Sequence, residues 1–180
     1  MVQLSEFYDN VLEGNQIKEV VKVLLEKSGY LVLPYGYEST LSGLRRRLGE
    51  KGTKKSRTVR RIRSSPDLLV YDEQRKDLML VEVKMRKAYK ETKILLYARM
   101  MANYKEFWND SVITVVVPCG NILYAQKVSE LEIKEEYNAE LDFERFENIF
   151  KRVKTEDTSH FKTEALRVMK KEIKCTSTEN

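Results

Sequence analysis

Two acids and a lysine stand in a stretch that is otherwise largely apolar. In SSPDLLVYDEQRKDLMLVEVKMR, residues 64–86, Asp67 follows Pro66, Glu82 comes fifteen residues later, and Lys84 lies two beyond it. A carboxylate or an ammonium is costly to bury unless it is paired or bound to something. Acids brought side by side repel. A hard divalent cation, Mg²⁺ or Mn²⁺, relieves that repulsion by taking carboxylate oxygens, carbonyls and water. An amine beside such a pair can hold a water or stabilise charge growing on a phosphate. These residue types therefore fit phosphodiester hydrolysis, and they also fit a plain ion pair at strand ends.

The elements around them decide whether the three can meet. Residues 67–72 and 77–85 read as strands joined by a turn over 73–76. With a period of two, Leu78, Leu80, Glu82 and Lys84 share one face, and Met79, Val81, Val83 and Met85 the other. A hairpin about that turn sets position 67 roughly opposite 82. The carbonyl of Val83 is then a further candidate metal ligand. Asp72 and Asp77, near the turn, are expected to be solvated. Upstream, Ile17, Val20, Val21, Leu24 and Leu25 form a helical stripe over 15–29, with Asn15 and Gly29 as its ends. Residues 30–34 read as a short strand.

Downstream, residues 88–107 read as a helix through Ile94, Tyr97, Met101 and Tyr104. Residues 111–118 have the β-branched composition of a buried strand, and 122–128 read as its returning partner. Leu141, Phe146, Ile149, Phe150 and Val153 suggest a helix over 141–153, and 162–174 a last one. The expected fold is a single α/β domain over 1–180, a central mixed sheet flanked by helices. Its α-β-β-β-α-β core covers about 15–127, with a helical part over 128–174.

The chain of 180 residues carries a net charge of +5. The charge is uneven. Residues 43–64 hold ten Lys or Arg and one acid, whereas 129–147 hold eight acids and two basic residues. Arg45, Arg46, Arg47, Lys51, Lys54, Lys55, Arg57, Arg60, Arg61 and Arg63 form a basic arm, read as exposed loop or hairpin, just ahead of Asp67. Such a cluster holds phosphates without reading sequence. Tyr35 is a candidate for stacking on a base or packing against the sheet. Cys119 and Cys175 lack the spacing of a zinc or iron–sulfur site, and His160 is the sole histidine. No leader precedes the cysteines, so a reducing interior, cytoplasmic or nucleoid-associated, is expected. No apolar run approaches the roughly 20 residues that cross a bilayer, so no membrane partner is expected.

Pro66-Asp67 and Glu82-Val83-Lys84 together resemble the signature of the PD-(D/E)xK nuclease superfamily, which has the restriction-endonuclease-like fold. The run GNQIKEVVKVLLEKSGYLVLP, residues 14–34, resembles the first helix and strand of archaeal Holliday junction resolvases. The resemblance implies a Mg²⁺-dependent deoxyribonuclease. Asp67 and Glu82 would bind the metal and Lys84 would serve the attacking water. A further acid on the first helix would be Glu19, with Glu38 as its competitor. The implied partner is duplex or branched DNA, and a junction-cutting enzyme would be a homodimer. Two other readings stay open: a nucleic-acid binding module without catalysis, and a protein-interaction domain using the acidic stretch.

Overall fold

Helix α1 runs Val2–Lys27, beginning well before the stripe that starts at residue 15, so Asn15 lies inside the helix and does not cap it. Its end is as expected. Gly29 has φ +86°, and its N–H donates to the Glu26 carbonyl while the Tyr30 N–H donates to that of Leu25. A residue with a Cβ resists that conformation. The computed structural model describes residues 2–36, 56–85, 95–117, 122–133, 138–140 and 144–159. Arg45, Arg46, Arg47, Lys51, Lys54, Lys55 and Glu38, and the helix expected over 162–174, lie outside the described residues.

After α1 come β1 (Leu31–Pro34), α2 (Arg57–Arg63), β2 (Leu68–Asp72) and β3 (Asp77–Met85). β4 (Leu95–Tyr97), α3 (Ala98–Phe107), β5 (Val112–Val117) and β6 (Ile122–Lys127) follow. A 3₁₀ turn (Val128–Glu130), β7 (Asn138–Glu140), β8 (Glu144–Arg145) and α4 (Phe146–Ile149) complete the order. Among the described residues, six strands form one mixed sheet in the order β1-β2-β3-β5-β6-β8, and β4 with β7 forms a separate ribbon. Among the described residues β3 and β5 pair in parallel, and the other neighbours in this sheet are antiparallel. This is the α/β class expected: helix, three antiparallel strands, helix and parallel strand come in that order, with α2 inserted after β1 and β4 before α3.

Each face of the sheet carries its own apolar cluster. On one, Ile17, Val21, Leu24 and Leu25 of α1 cover Leu68, Val70, Val81, Val83, Val112 and Val116, and Phe146, Phe150 and Val153 close the cluster. On the other, Met101 and Tyr104 of α3 lie on Ile113, Val115 and Val117. Burying each such side chain contributes about 1.5–3 kcal/mol. Alternate β5 residues face opposite covered sides of the sheet, which is why that strand is apolar but for Thr114, itself buried.

Three expectations are corrected. Of the helix expected over 88–107, residues 88–94 lie outside the described residues, and 95–107 are β4 and then α3, because Leu95–Tyr97 pairs with Asn138–Glu140. Of the helix expected over 141–153, the described residues 144–153 form only α4 as α-helix, preceded by β8, which pairs with β6. The part of the basic arm from Arg57 to Arg63 is a helix, not a loop or hairpin. Asp72 also departs from its solvated role. It is buried, its Oδ1 accepts the N–H groups of Gln74 and Arg75 across the hairpin turn, and Arg152 pairs with it at 3.5 Å.

Candidate active site

The hairpin register is Leu68 opposite Val81 through Asp72 opposite Asp77. Continued by one step, it brings position 67 level with Glu82. Asp67 Oδ2 accepts the N–H of Val83 at 3.0 Å, so the first acid is bonded to the residue between the second acid and the lysine. The backbone of Asp67 is fixed from the other side, where its carbonyl accepts the N–H groups of Tyr35 and Gly36 at 2.9 and 3.2 Å. The chain leaving β1 therefore holds Asp67 at the end of the sheet.

Glu82 and Lys84 point from β3 towards α3, as the two-residue period requires. Their β5 partners, Ile113 and Val115, belong to the cluster beneath Tyr104. Glu82 is 3% exposed, and one of its oxygens pairs with the Lys84 ammonium. Its Oε2 is buried without a hydrogen-bond partner of good geometry. The Tyr104 hydroxyl lies near enough to favour the charged carboxylate but does not close a well-formed bond on that oxygen. Burial pushes Glu82 from the usual 4.5 up to about 7; Asp67 adds to the rise, while Lys84 and Tyr104 oppose it. Burial and the same glutamate hold the Tyr104 phenol well above its ordinary range. Lys84 also lies 5.9 Å from the Tyr104 ring centre.

Asp67, Glu82, Val83 and Lys84 are thus brought together, and Glu19 is not. Its side chain is 68% exposed and faces Lys22 at 3.7 Å. The neighbouring residue on α1 reaches the site instead: Lys18 Nζ lies 2.7 Å from Asp67 Oδ1, with the two side chains 31% and 11% exposed. Sequence reasoning missed Lys18. Its one signal was its place beside Ile17 on the apolar stripe.

The described basic residues surround a neighbouring surface. Arg57 and Arg60 both pair with Glu106 of α3 at 3.1 Å, and both guanidinium groups lie over Phe107. Arg61 lies over Trp108, whose indole N–H donates to Ser64 Oγ at 3.2 Å. Tyr35 meets the same indole edge-on, with ring centres 6.2 Å apart, so it packs within the protein. Arg63 is exposed on the same helix. An aromatic and cationic wall therefore stands beside the segment that leads into Asp67.

A divalent cation is testable against these groups. The buried, unpartnered Glu82 Oε2 is an oxygen that a cation would satisfy. In an antiparallel pair a residue's N–H and C=O face the same neighbour, so the Val83 carbonyl shares the Asp67 side with its N–H. Among the described residues, no cluster of three His, Cys, Asp or Glu forms a fuller ligand set. Two acids and a carbonyl, completed by water, suit a hard ion such as Mg²⁺.

No family model and no curated protein sequence matches this chain. Among solved structures, it is similar to Hjc, a Holliday junction resolvase from the archaeal hyperthermophile Archaeoglobus fulgidus. The identity is 16%, the TM-score 0.47, and the match covers 76% of this chain and 94% of that one. No helix among the described residues is long and apolar enough to cross a membrane.

Proposed function

We propose that this chain is a metal-dependent deoxyribonuclease that hydrolyses phosphodiester bonds, acting on branched DNA as a homodimer within the cell. The observation that carries the reading is the meeting of Asp67 with Glu82-Val83-Lys84 at one end of the hairpin. Asp67, Glu82 and the Val83 carbonyl would hold Mg²⁺ or Mn²⁺. Such an ion, when bound, supplies Lewis-acid polarisation of the scissile phosphate and offsets the charge that develops there. Lys84 holds a water on the Glu82 side and donates to a phosphate oxygen as negative charge grows. Tyr104 and the apolar cluster beneath it exclude bulk water, which strengthens both contacts. The fragment 14–34 and its resemblance to junction resolvases support the branched substrate, and the basic segment 43–64 supports phosphate binding ahead of the site. Hydrolysis would leave 5′-phosphate and 3′-hydroxyl ends.

A second reading is a nuclease-like module that binds nucleic acid without cutting it. One observation favours it: each acid already has an amine partner, Lys18 for Asp67 and Lys84 for Glu82. Incubating linear, nicked, flapped and four-way DNA with Mg²⁺, with EDTA, and with Lys84→Ala separates the two. Cleavage by the parent chain that is lost in both controls is the expected result. Salt-sensitive binding that is indifferent to Lys84, with no cleavage, would favour the second reading. Cleavage that survives in Lys84→Ala would place the chemistry elsewhere.

A further inference from the structure

The Asp67 carboxylate has two partners of different kinds. Oδ2 accepts the backbone N–H of Val83, a group fixed within β3. Oδ1 accepts from Lys18, whose ammonium is carried on a flexible four-carbon stem and is 31% exposed. The Val83 N–H cannot leave without disturbing the strand, whereas the Lys18 side chain is partly exposed and can swing towards solvent. An ammonium and a dication held on one carboxylate oxygen repel each other strongly at such distances, so the two compete for it.

We infer that Lys18 is a displaceable counter-ion of the site. It neutralises Asp67 when no divalent cation is bound, and it competes for Oδ1 with a cation that takes that oxygen. This rests on the metal-dependent reading above. Lys18 is a positioning residue in this role, acting through Asp67. The consequence is a site whose apparent cation affinity is set as much by a helix side chain as by the ligands themselves. The direction follows from geometry: removing the ammonium removes a competitor and adds no ligand.

The test is a Mn²⁺ titration of the full chain without DNA, with free Mn²⁺ followed by electron paramagnetic resonance and folding checked by circular dichroism. Lys18→Met should bind Mn²⁺ about tenfold more tightly than the parent, which is about 1.4 kcal/mol and comparable with one charge-assisted contact. Lys18→Arg should stay near the parent. Lys22→Met removes the same charge from the same helix but faces Glu19, and it should change affinity far less. Asp67→Asn should lose the binding in every background. If Lys18→Met loses helical signal, Lys18→Gln gives the same comparison.

Tightening that is equal in Lys18→Met and Lys22→Met, or absent from both, would overturn this inference while leaving the metal reading intact, provided Asp67→Asn still abolishes binding. Mn²⁺ binding that is indifferent to both Asp67 and Glu82 would overturn the metal reading and this inference with it.

Discussion

Glu82→Gln replaces the buried carboxyl by a group of the same shape that does not titrate. In the folded chain Glu82 holds its proton up to about 7, against 4.5 for an ordinary glutamate. At 1.36 kcal/mol per pH unit this corresponds to about 3 kcal/mol. The folded state binds the proton more tightly than the unfolded chain does. The favourable contribution is therefore fully present below about pH 4.5 and is lost as pH rises through about 7. Urea denaturation of parent and variant in EDTA, from about pH 4.5 to about pH 8, measures the difference, and titrations common to both chains cancel. Stability of the parent relative to Glu82→Gln should fall by about 3 kcal/mol across that range and level off above it. Mn²⁺ in place of EDTA should flatten the curve, because a cation favours the charged carboxylate that burial disfavours. A difference between the two chains that stays constant with pH would refute the reasoning, since it would mean that Glu82 titrates alike in both states.

Two further outcomes follow from other parts of the molecule. Gly29→Ala should destabilise the fold by about 1–2 kcal/mol through the positive φ alone; a Cβ there would also collide with the Arg152 guanidinium, and an unchanged denaturation midpoint would contradict both effects. Glu106→Gln should free Arg57 and Arg60 for phosphates, strengthening DNA binding in fluorescence anisotropy and steepening its salt dependence. Weaker binding in that variant would mean that the Glu106 pairs serve to hold α2 in a binding posture.

The hairpin was legible because its signals agree. The apolar run 78–81 and the alternation over 81–85 suit a strand, the four residues 73–76 suit a turn, and the pairing of Asp72 with Asp77 sets 67 level with 82. Glu19 and Lys18 show the limit. A helical stripe identifies the buried face, but neighbouring residues differ by about 100° around the axis, and only packing decides which one turns towards Asp67. Residues 95–97 failed for another reason: Leu-Leu-Tyr suits either period, and the pairing with β7 settles it from more than forty residues away. The helix at 57–63 was hidden because its contact face is built from Arg57 and Arg60. Their guanidinium groups, lying over Phe107, do the packing that periodicity seeks in aliphatic residues.

Phe146, Phe150 and Val153 share a cluster with Ile17 and Val21. During synthesis the first helix emerges long before the aromatic pair that closes over it. The central sheet cannot seal that side until the segment near Val153 has left the ribosome. That greasy flank therefore stays uncovered through the synthesis of the whole sheet, and its closure is a long-range event in the making of the protein.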